Sequence, residues 1–266
     1  MNYEFEHSKL SSEITWKESD CTEIYNGRYS KCLLRGKIVR KYFTHDNQKR
    51  FLEEYSKMET AYEQGIPVPK PLTFGYDTEL CKWFIESEYL PFAPVEGKLD
   101  RPLFDSVCEL IDRIQNIHYE SDGIWDRQLI DFSGALSYVD ELEAEKKENI
   151  LDKLRSLKAE KFMHGDFLPK NLGITSEGIV TFDFQNSGMG PKQWDLCYFL
   201  SDYKPDLISE DIYPLIYDER IELIMIIIKI RMGRALRKQE TIADYKCKLD
   251  GWRRFESLKK RENVCE

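Results

Sequence analysis

The residues with the clearest chemical potential lie in one run, His164-Gly165-Asp166-Phe167-Leu168-Pro169-Lys170-Asn171, followed further on by Asp183-Phe184-Gln185. The chemistry that wants such a set is phosphoryl transfer. The γ-phosphoryl group passes through a loose transition state with charge spread over its oxygens. The protein's task there is positioning and charge neutralisation, with little covalent work. One carboxylate must orient the acceptor hydroxyl and take its proton, and Asp166 suits that role. A second carboxylate and an amide oxygen, both hard donors, must hold magnesium against the phosphates, and Asp183 with Asn171 suits that one.

These residues need elements to hold them. Residues 13–43 read as strands, with 29–35 and 37–43 flanking a turn at Gly36. The spacing predicts a helix over 53–64, stopped by Gly65, after which Pro67 and Pro69 keep the chain extended. Residues 82–90 read as another strand, ended by Pro91 and Pro94. The pattern then turns helical. Leu103, Val107, Leu110, Ile111, Ile114 and Ile117 recur at helical spacing, and 140–159 reads as a charged helix with a solvated face. Two apolar pieces, 172–174 and 179–184, surround the turn Ser176-Glu177-Gly178 and predict a hairpin that ends at Asp183. Helices resume after Trp194. Strands first and helices afterwards predict a two-lobed α+β protein, with an N-terminal lobe over 1–90, a linker over 91–102 and a helical lobe over 103–266.

Composition narrows the function. The 266 residues carry 39 Lys and Arg against 48 Asp and Glu, a formal charge of −9, which argues against a general nucleic-acid binder. The seven cysteines are scattered with no C-x-x-C, so a disulfide framework or structural zinc site is not expected, and reduced thiols in a cytoplasmic protein fit best. The first ten residues are polar, with no apolar signal core, and the greasiest run, 223–228, is too short to span a bilayer. Neither nucleic acid nor membrane is therefore an expected partner. His164 reads as a core histidine, and Trp194, Tyr198, Phe199 and Tyr203 read as core aromatics. Asp202, Asp206, Glu210 and Asp211 each read most simply as solvated loop acids.

The run H-G-D-F-L-P-K-N, the D-F-Q that follows and Asp195-Leu196-Cys197-Tyr198-Phe199-Leu200 together resemble the aminoglycoside phosphotransferase and choline kinase family, which has the protein-kinase-like fold. The stretch from Asp183 to Leu200 is similar to the choline-kinase-like branch in particular. The resemblance implies a small antiparallel-sheet N-lobe that binds nucleotide and a mostly helical C-lobe with the catalytic loop and acceptor site. It implies Asp166 as the catalytic residue, Asn171 and Asp183 as Mg2+ ligands, His164 as a structural prop and Asp195 as a buried brace under the loop. In the first lobe, Ile38-Val39-Arg40-Lys41 sits where the family places its phosphate-binding cation. Adjacent strand residues face opposite ways, so only one can serve; the family spacing and the bidentate reach of a guanidinium make Arg40 the first choice and Lys41 the second. The chosen cation should pair with Glu54, which precedes the G-x-P-x-P turn Gly65-Ile66-Pro67-Val68-Pro69. Glu86-Ser87-Glu88-Tyr89-Leu90 looks like the hinge that meets the base, through the carbonyl of Glu88 and the amide of Leu90.

The implied function is a kinase that moves the γ-phosphoryl group of ATP or GTP to a hydroxyl of a small acceptor such as an aminoglycoside, a choline-like amine or a sugar. The acids after the catalytic segment and the net charge favour a cationic or neutral acceptor. Two departures bear on this. No G-x-G-x-x-G precedes the strand cation, and only Asn26-Gly27-Arg28-Tyr29-Ser30 is available as a phosphate-covering loop. Leu168 stands where protein kinases place a lysine, and no A-P-E segment follows Asp183. A protein serine/threonine kinase is therefore disfavoured, and the intact Asp166, Asn171 and Asp183 argue against a nucleotide-binding pseudokinase.

Overall fold

The computed structural model describes residues 16, 20–26, 30–44, 48–120, 123–216 and 218–262. Most of the expected phosphate-covering loop (27–29) and part of the first expected strand region (13–15 and 17–19) lie outside the described residues. The fold is α+β and divides into two units, Met1–Ala93 with Ile174–Gln185, and Pro94–Gly173 with Asn186–Glu266.

The first unit is built on a five-stranded antiparallel sheet of β1 (Thr22–Asn26), β2 (Ser30–Arg35), β3 (Ile38–Phe43), β4 (Pro71–Asp77) and β5 (Lys82–Glu88), in the order β1-β2-β3-β5-β4. Gly36 supplies the left-handed residue (φ 60°) of the two-residue turn between β2 and β3. Helix α1 (Gln48–Glu63) follows β3. Strand alternation sorts the side chains onto two faces. Phe43, Phe74 and Ile85 pack with Phe51 and Tyr55 of α1. Leu33, Tyr42 and Phe84 pack on the opposite face with Trp16. β4 was not expected as a strand; its proline is its first residue, the place where a strand tolerates one.

A two-residue strand, β6 (Ala93–Pro94), precedes the second unit's helices α2 (Arg101–Gln115), α3 (Ile124–Leu136) and α4 (Ala144–Ser156). Asp100 caps α2 by accepting from the Leu103 amide at 3.0 Å, and Phe104, Val107, Leu110, Ile111 and Ile114 form its buried stripe. Next come β7 (Lys161–Met163), the hairpin β8 (Leu172–Thr175) and β9 (Gly178–Thr181), and β10 (Gly188–Gly190). Helices α5 (Trp194–Leu200), α6 (Asp218–Arg237) and α7 (Ala243–Glu262) complete the chain's described elements. The apolar run 223–228 lies buried within α6. Where α6 passes α3, a Cβ on Gly233 would fall 2.1 Å from the Ala135 carbonyl oxygen, so only glycine permits that approach. No helix among the described residues is long and apolar enough to cross a membrane.

Part of the expected linker is packed within the second unit. Val95 and Leu99 are buried, and Leu99 exchanges backbone hydrogen bonds with Leu207 (2.8 Å) and Ser209 (2.9 Å) within the second unit. The hairpin from Ile174 onward groups with the first unit, where the Thr181 amide donates to the Pro67 carbonyl at 3.0 Å.

Candidate active site

In the second unit, β7 pairs antiparallel with β10 and delivers the chain to His164. Gly165 then turns the backbone with φ +79°, and a Cβ there would lie 2.1 Å from the Asn186 carbonyl oxygen, so the turn requires glycine. Asp195, in the first turn of α5, takes both sides of that turn. Its Oδ2 accepts from the His164 amide at 2.7 Å and its Oδ1 from the Gly165 amide at 2.9 Å. Burial pushes the Asp195 carboxyl up, against the downward pull of His164 and the two amides. His164 is fully buried, with its ring edge-on to Phe167 and its Nδ1 accepting from the Asp166 amide at 3.4 Å.

Asp166 itself is half-buried at the end of this braced loop. Asn171 closes the loop through a short turn over Pro169–Asn171. Its Nδ2 donates to the Asp166 carbonyl at 2.8 Å and to Asp166 Oδ2 at 3.1 Å. The amide nitrogen is thus turned toward Asp166 and the amide oxygen lies on the other branch.

Beyond the loop stands a set of side chains that the sequence did not reveal. Tyr198 follows Asp195 by one helical turn on α5. Arg234 of α6 donates from Nη1 to Tyr198 Oη at 3.1 Å and from Nε to Asp131 Oδ2 at 2.7 Å. Burial, and then the neighbouring Asp166 carboxylate, push the Tyr198 phenol up to about 12. Asp202, expected as a solvated acid, is paired with Arg231 Nη2 at 2.7 Å and Lys248 Nζ at 3.1 Å. Against its burial, those two cations hold its carboxyl below the usual range. Its charge is therefore neutralised locally, whereas Asp206, Glu210 and Asp211 are exposed.

The first unit holds the other expected residues, and Lys41, the second choice, is the cation that pairs with Glu54. Arg40 is 1% exposed and pairs with Glu86, its direct cross-strand partner, through Nε (2.9 Å) and Nη2 (2.6 Å) to Oε1. Its guanidinium lies 4.0 Å from the Phe84 ring centre and 4.5 Å from that of Trp16. Arg40 is thus consumed on the sheet face away from α1. Lys41 points to the α1 face, where its Nζ lies 2.6 Å from Glu54 Oε1 and 3.0 Å from Asp183 Oδ1. Burial opposes its charge, but Asp183 and Glu54 together hold the ammonium above its ordinary value. Asp183 adopts a left-handed backbone, φ 67°, which aspartate tolerates better than most residues. The neighbouring Cys32 thiol is pushed up to about 11 by burial, so it is no nucleophile at neutral pH. At the expected hinge, the Glu88 amide donates to the Lys70 carbonyl (2.9 Å) and the Tyr89 amide to the Lys37 carbonyl (2.8 Å).

The family model described as "Phosphotransferase enzyme family" matches residues 30–213. The chain belongs to this family. The matched span opens at β2 and carries Lys41, Glu54, Asp166, Asn171, Asp183 and Asp195, while Arg234 lies beyond it. Solved structures similar to this phosphotransferase family member share its fold. The amicoumacin kinase hAmiN, in complex with AMP-PNP, Ca2+ and Ami, aligns with a TM-score of 0.61 at 13% identity, over 91% of this chain and 90% of that one. A choline/ethanolamine kinase family protein from Mesorhizobium loti gives 0.58 at 14%, over 90% and 87%. An aminoglycoside-3'-phosphotransferase of type VIII gives 0.53 at 19%, over 88% and 94%. No curated protein matches the sequence.

Proposed function

We propose that this phosphotransferase is a small-molecule kinase that transfers the γ-phosphoryl group of ATP or GTP to a hydroxyl of a small acceptor. The observation that carries the reading is the Asp166 loop. A half-buried carboxylate is held by an asparagine amide on a turn whose backbone is braced by a buried aspartate. That is the preorganisation a base needs to orient a hydroxyl and accept its proton as the phosphoryl group leaves the nucleotide. In the first unit, Lys41, set by Glu54, presents an ammonium for the nucleotide phosphates. Leu90, next to amides already spent on strand partners, offers its amide to the base, and Glu88 its carbonyl.

The chemistry of two side chains suits magnesium. In the first unit the Asp183 carboxylate is 40% exposed, and in the second the Asn171 amide oxygen is turned from Asp166; both are hard oxygen donors. These residues would hold the ion, which would supply charge neutralisation on the phosphates. Asp195 and His164 hold the loop without touching the reactants.

The acceptor is a small hydroxyl compound, neutral or cationic. With Asp202 neutralised by its own partners, the exposed Asp206, Glu210 and Asp211 are the acids after the catalytic segment that favour a cation. The test is nucleotide consumption with Mg2+ across a panel of hydroxylated amines, sugars and antibiotics, for the wild type and Asp166→Asn. General-base removal lowers turnover by about 10²–10⁴-fold. Turnover by Asp166→Asn within tenfold of wild type removes Asp166 from the role, and a wild type that binds nucleotide but never turns it over favours a pseudokinase.

A further inference from the structure

We propose, on the reading that Asp166 is the base, that Gln128 of α3 is a positioning residue for it: its side-chain amide pins the carbonyl against which the Gly165 turn closes. Asp166 takes its direction from the backbone on either side. After it, Asn171 Nδ2 holds the Asp166 carbonyl at 2.8 Å. Before it stands Gly165, at φ +79° and with no room for a Cβ. Glycine is also the residue with the widest choice of other conformations, so a turn built on it needs something to close off the alternatives.

Two helices do this from two sides. α5 supplies Asp195, which takes the His164 and Gly165 amides. On the other side is the Asn186 carbonyl, whose oxygen lies 2.1 Å from the position of a Gly165 Cβ and so faces the α-hydrogen there. Gln128 Nε2 donates to that oxygen at 3.1 Å and lies 3.0 Å from the same Cβ position, so amide, carbonyl and glycine meet at one point. The donor is itself firmly based. Trp125, three residues before Gln128, and Phe132, four after, share its face of α3. Both pack on Trp194 of α5, with ring centres 4.9 and 5.1 Å away. Gln128 is 8% exposed, and its Oε1 is buried with no hydrogen-bond partner among the described residues. A buried acceptor left unpaired is costly, and a methionine would fill a similar space without one. Packing alone therefore gives no reason for an amide at 128; the hydrogen bond to Asn186 does.

The experiment compares wild type, Gln128→Met, Asp166→Asn and the double variant as full chains. Steady-state kinetics use MgATP and the best acceptor of the panel above, or water as acceptor where none exceeds it; hydrogen exchange reads the loop directly. Gln128→Met trades one unpaired acceptor, Oε1, for another, the Asn186 carbonyl, so its melting temperature should stay within about 4 °C of wild type. Its kcat should fall about 10–100-fold, the loss expected of a displaced reacting group, with nucleotide and acceptor KM within about threefold. Added to Asp166→Asn it should cost nothing further, since the group it positions is gone. Exchange of the amides of 164–166 should speed up by roughly 2–12-fold, the worth of one neutral hydrogen bond, with α2 and α6 unchanged. A merely structural glutamine would instead speed exchange across those helices and multiply its loss onto Asp166→Asn; that result overturns the proposal. So does Gln128→Met with wild-type kcat. Gln128→Leu is read in the same way if Gln128→Met does not fold, and failure of both to fold also overturns the positioning role. Faster exchange at 164–166 alongside an active Asp166→Asn shows instead that the base assignment itself has failed.

Discussion

Lys41→Met and Arg40→Met separate the two neighbouring cations, because the structure gives them different work. Lys41→Met deletes an ammonium shared by Glu54, whose side chain is 4% exposed, and Asp183, at 40%. At separations of 2.6 and 3.0 Å and an effective dielectric of about 20, the two attractions are each roughly 5.5–6.4 kcal/mol before desolvation. Desolvation of the ions offsets most of this. Removing one partner of a buried pair costs about 3–5 kcal/mol, and Asp183 regains water, so about 3 kcal/mol is expected. At about 2–4 °C per kcal/mol for a chain of this size, the melting temperature falls by roughly 6–12 °C. Adding Glu54→Gln removes the stranded charge and should restore at least half of that. In steady-state assays below the melting range, Lys41→Met should raise the nucleotide KM by about 10–150-fold, the worth of one hydrogen bond to a charged group. Arg40→Met strands Glu86 and Asp77, both buried, so it should melt at least as early. Its nucleotide KM should stay within threefold of wild type. An Arg40→Met KM that rises more than that of Lys41→Met refutes the assignment, and so does a Lys41→Met variant that melts with the wild type.

Asp183→Ala should lose the stabilisation by Mg-nucleotide, which at 100 times the dissociation constant is about 2.7 kcal/mol, read as roughly 5–11 °C in a thermal shift. Gly165→Ala, with a Cβ 2.1 Å from the Asn186 carbonyl oxygen and a positive φ, should cost more than about 2 kcal/mol and abolish turnover, measured by thermal melting and nucleotide consumption. The pairing of Asp202 makes stability depend on acid. Its folded pKa lies below the unfolded value of about 3.9, so the contribution is complete above that value and is lost as pH falls through the folded one. Asp202→Asn should therefore melt earlier at pH 7 and show a flatter decline in melting temperature below about pH 4.

What the sequence disclosed follows from how local each signal is. The β2–β3 hairpin, α2 and the hairpin before Asp183 were legible because turn residues and apolar periodicity lie within each element. Helix α3 was missed because Gly123, Ser133 and Gly134 interrupt its composition and its apolar face is short. The three-residue strands β7 and β10 were missed because three residues carry no period, and only their pairing defines them. The run from His164 to Asn171 was readable because its residues sit within eight positions of one another. Arg40 and Lys41 could be assigned to opposite faces, but which of them meets Glu54 depends on where α1 packs. The one available clue was Glu86, a buried acid opposite Arg40 in the sheet. Tyr198 reads as one more core aromatic until Arg234, 36 residues on, and Asp131, 103 residues before Arg234, are brought to it.

The grouping of Ile174–Gln185 with the first unit sets an order for synthesis. The chain enters that unit, leaves after Ala93, and returns only for the hairpin and Asp183. Emergence of the hairpin follows that of Ala93 by some 92 residues, from 185 − 93, or about 5–18 s at 5–20 residues per second. Until then Lys41 has only Glu54 of its two carboxylate partners, while Asp183 and the Phe182 ring, whose centre lies 4.7 Å from that of Phe92, have yet to arrive. Neither unit can therefore be cut out of the gene as one continuous segment. A fragment ending at Ala93 carries the lysine and its glutamate but never the acid that completes their triad.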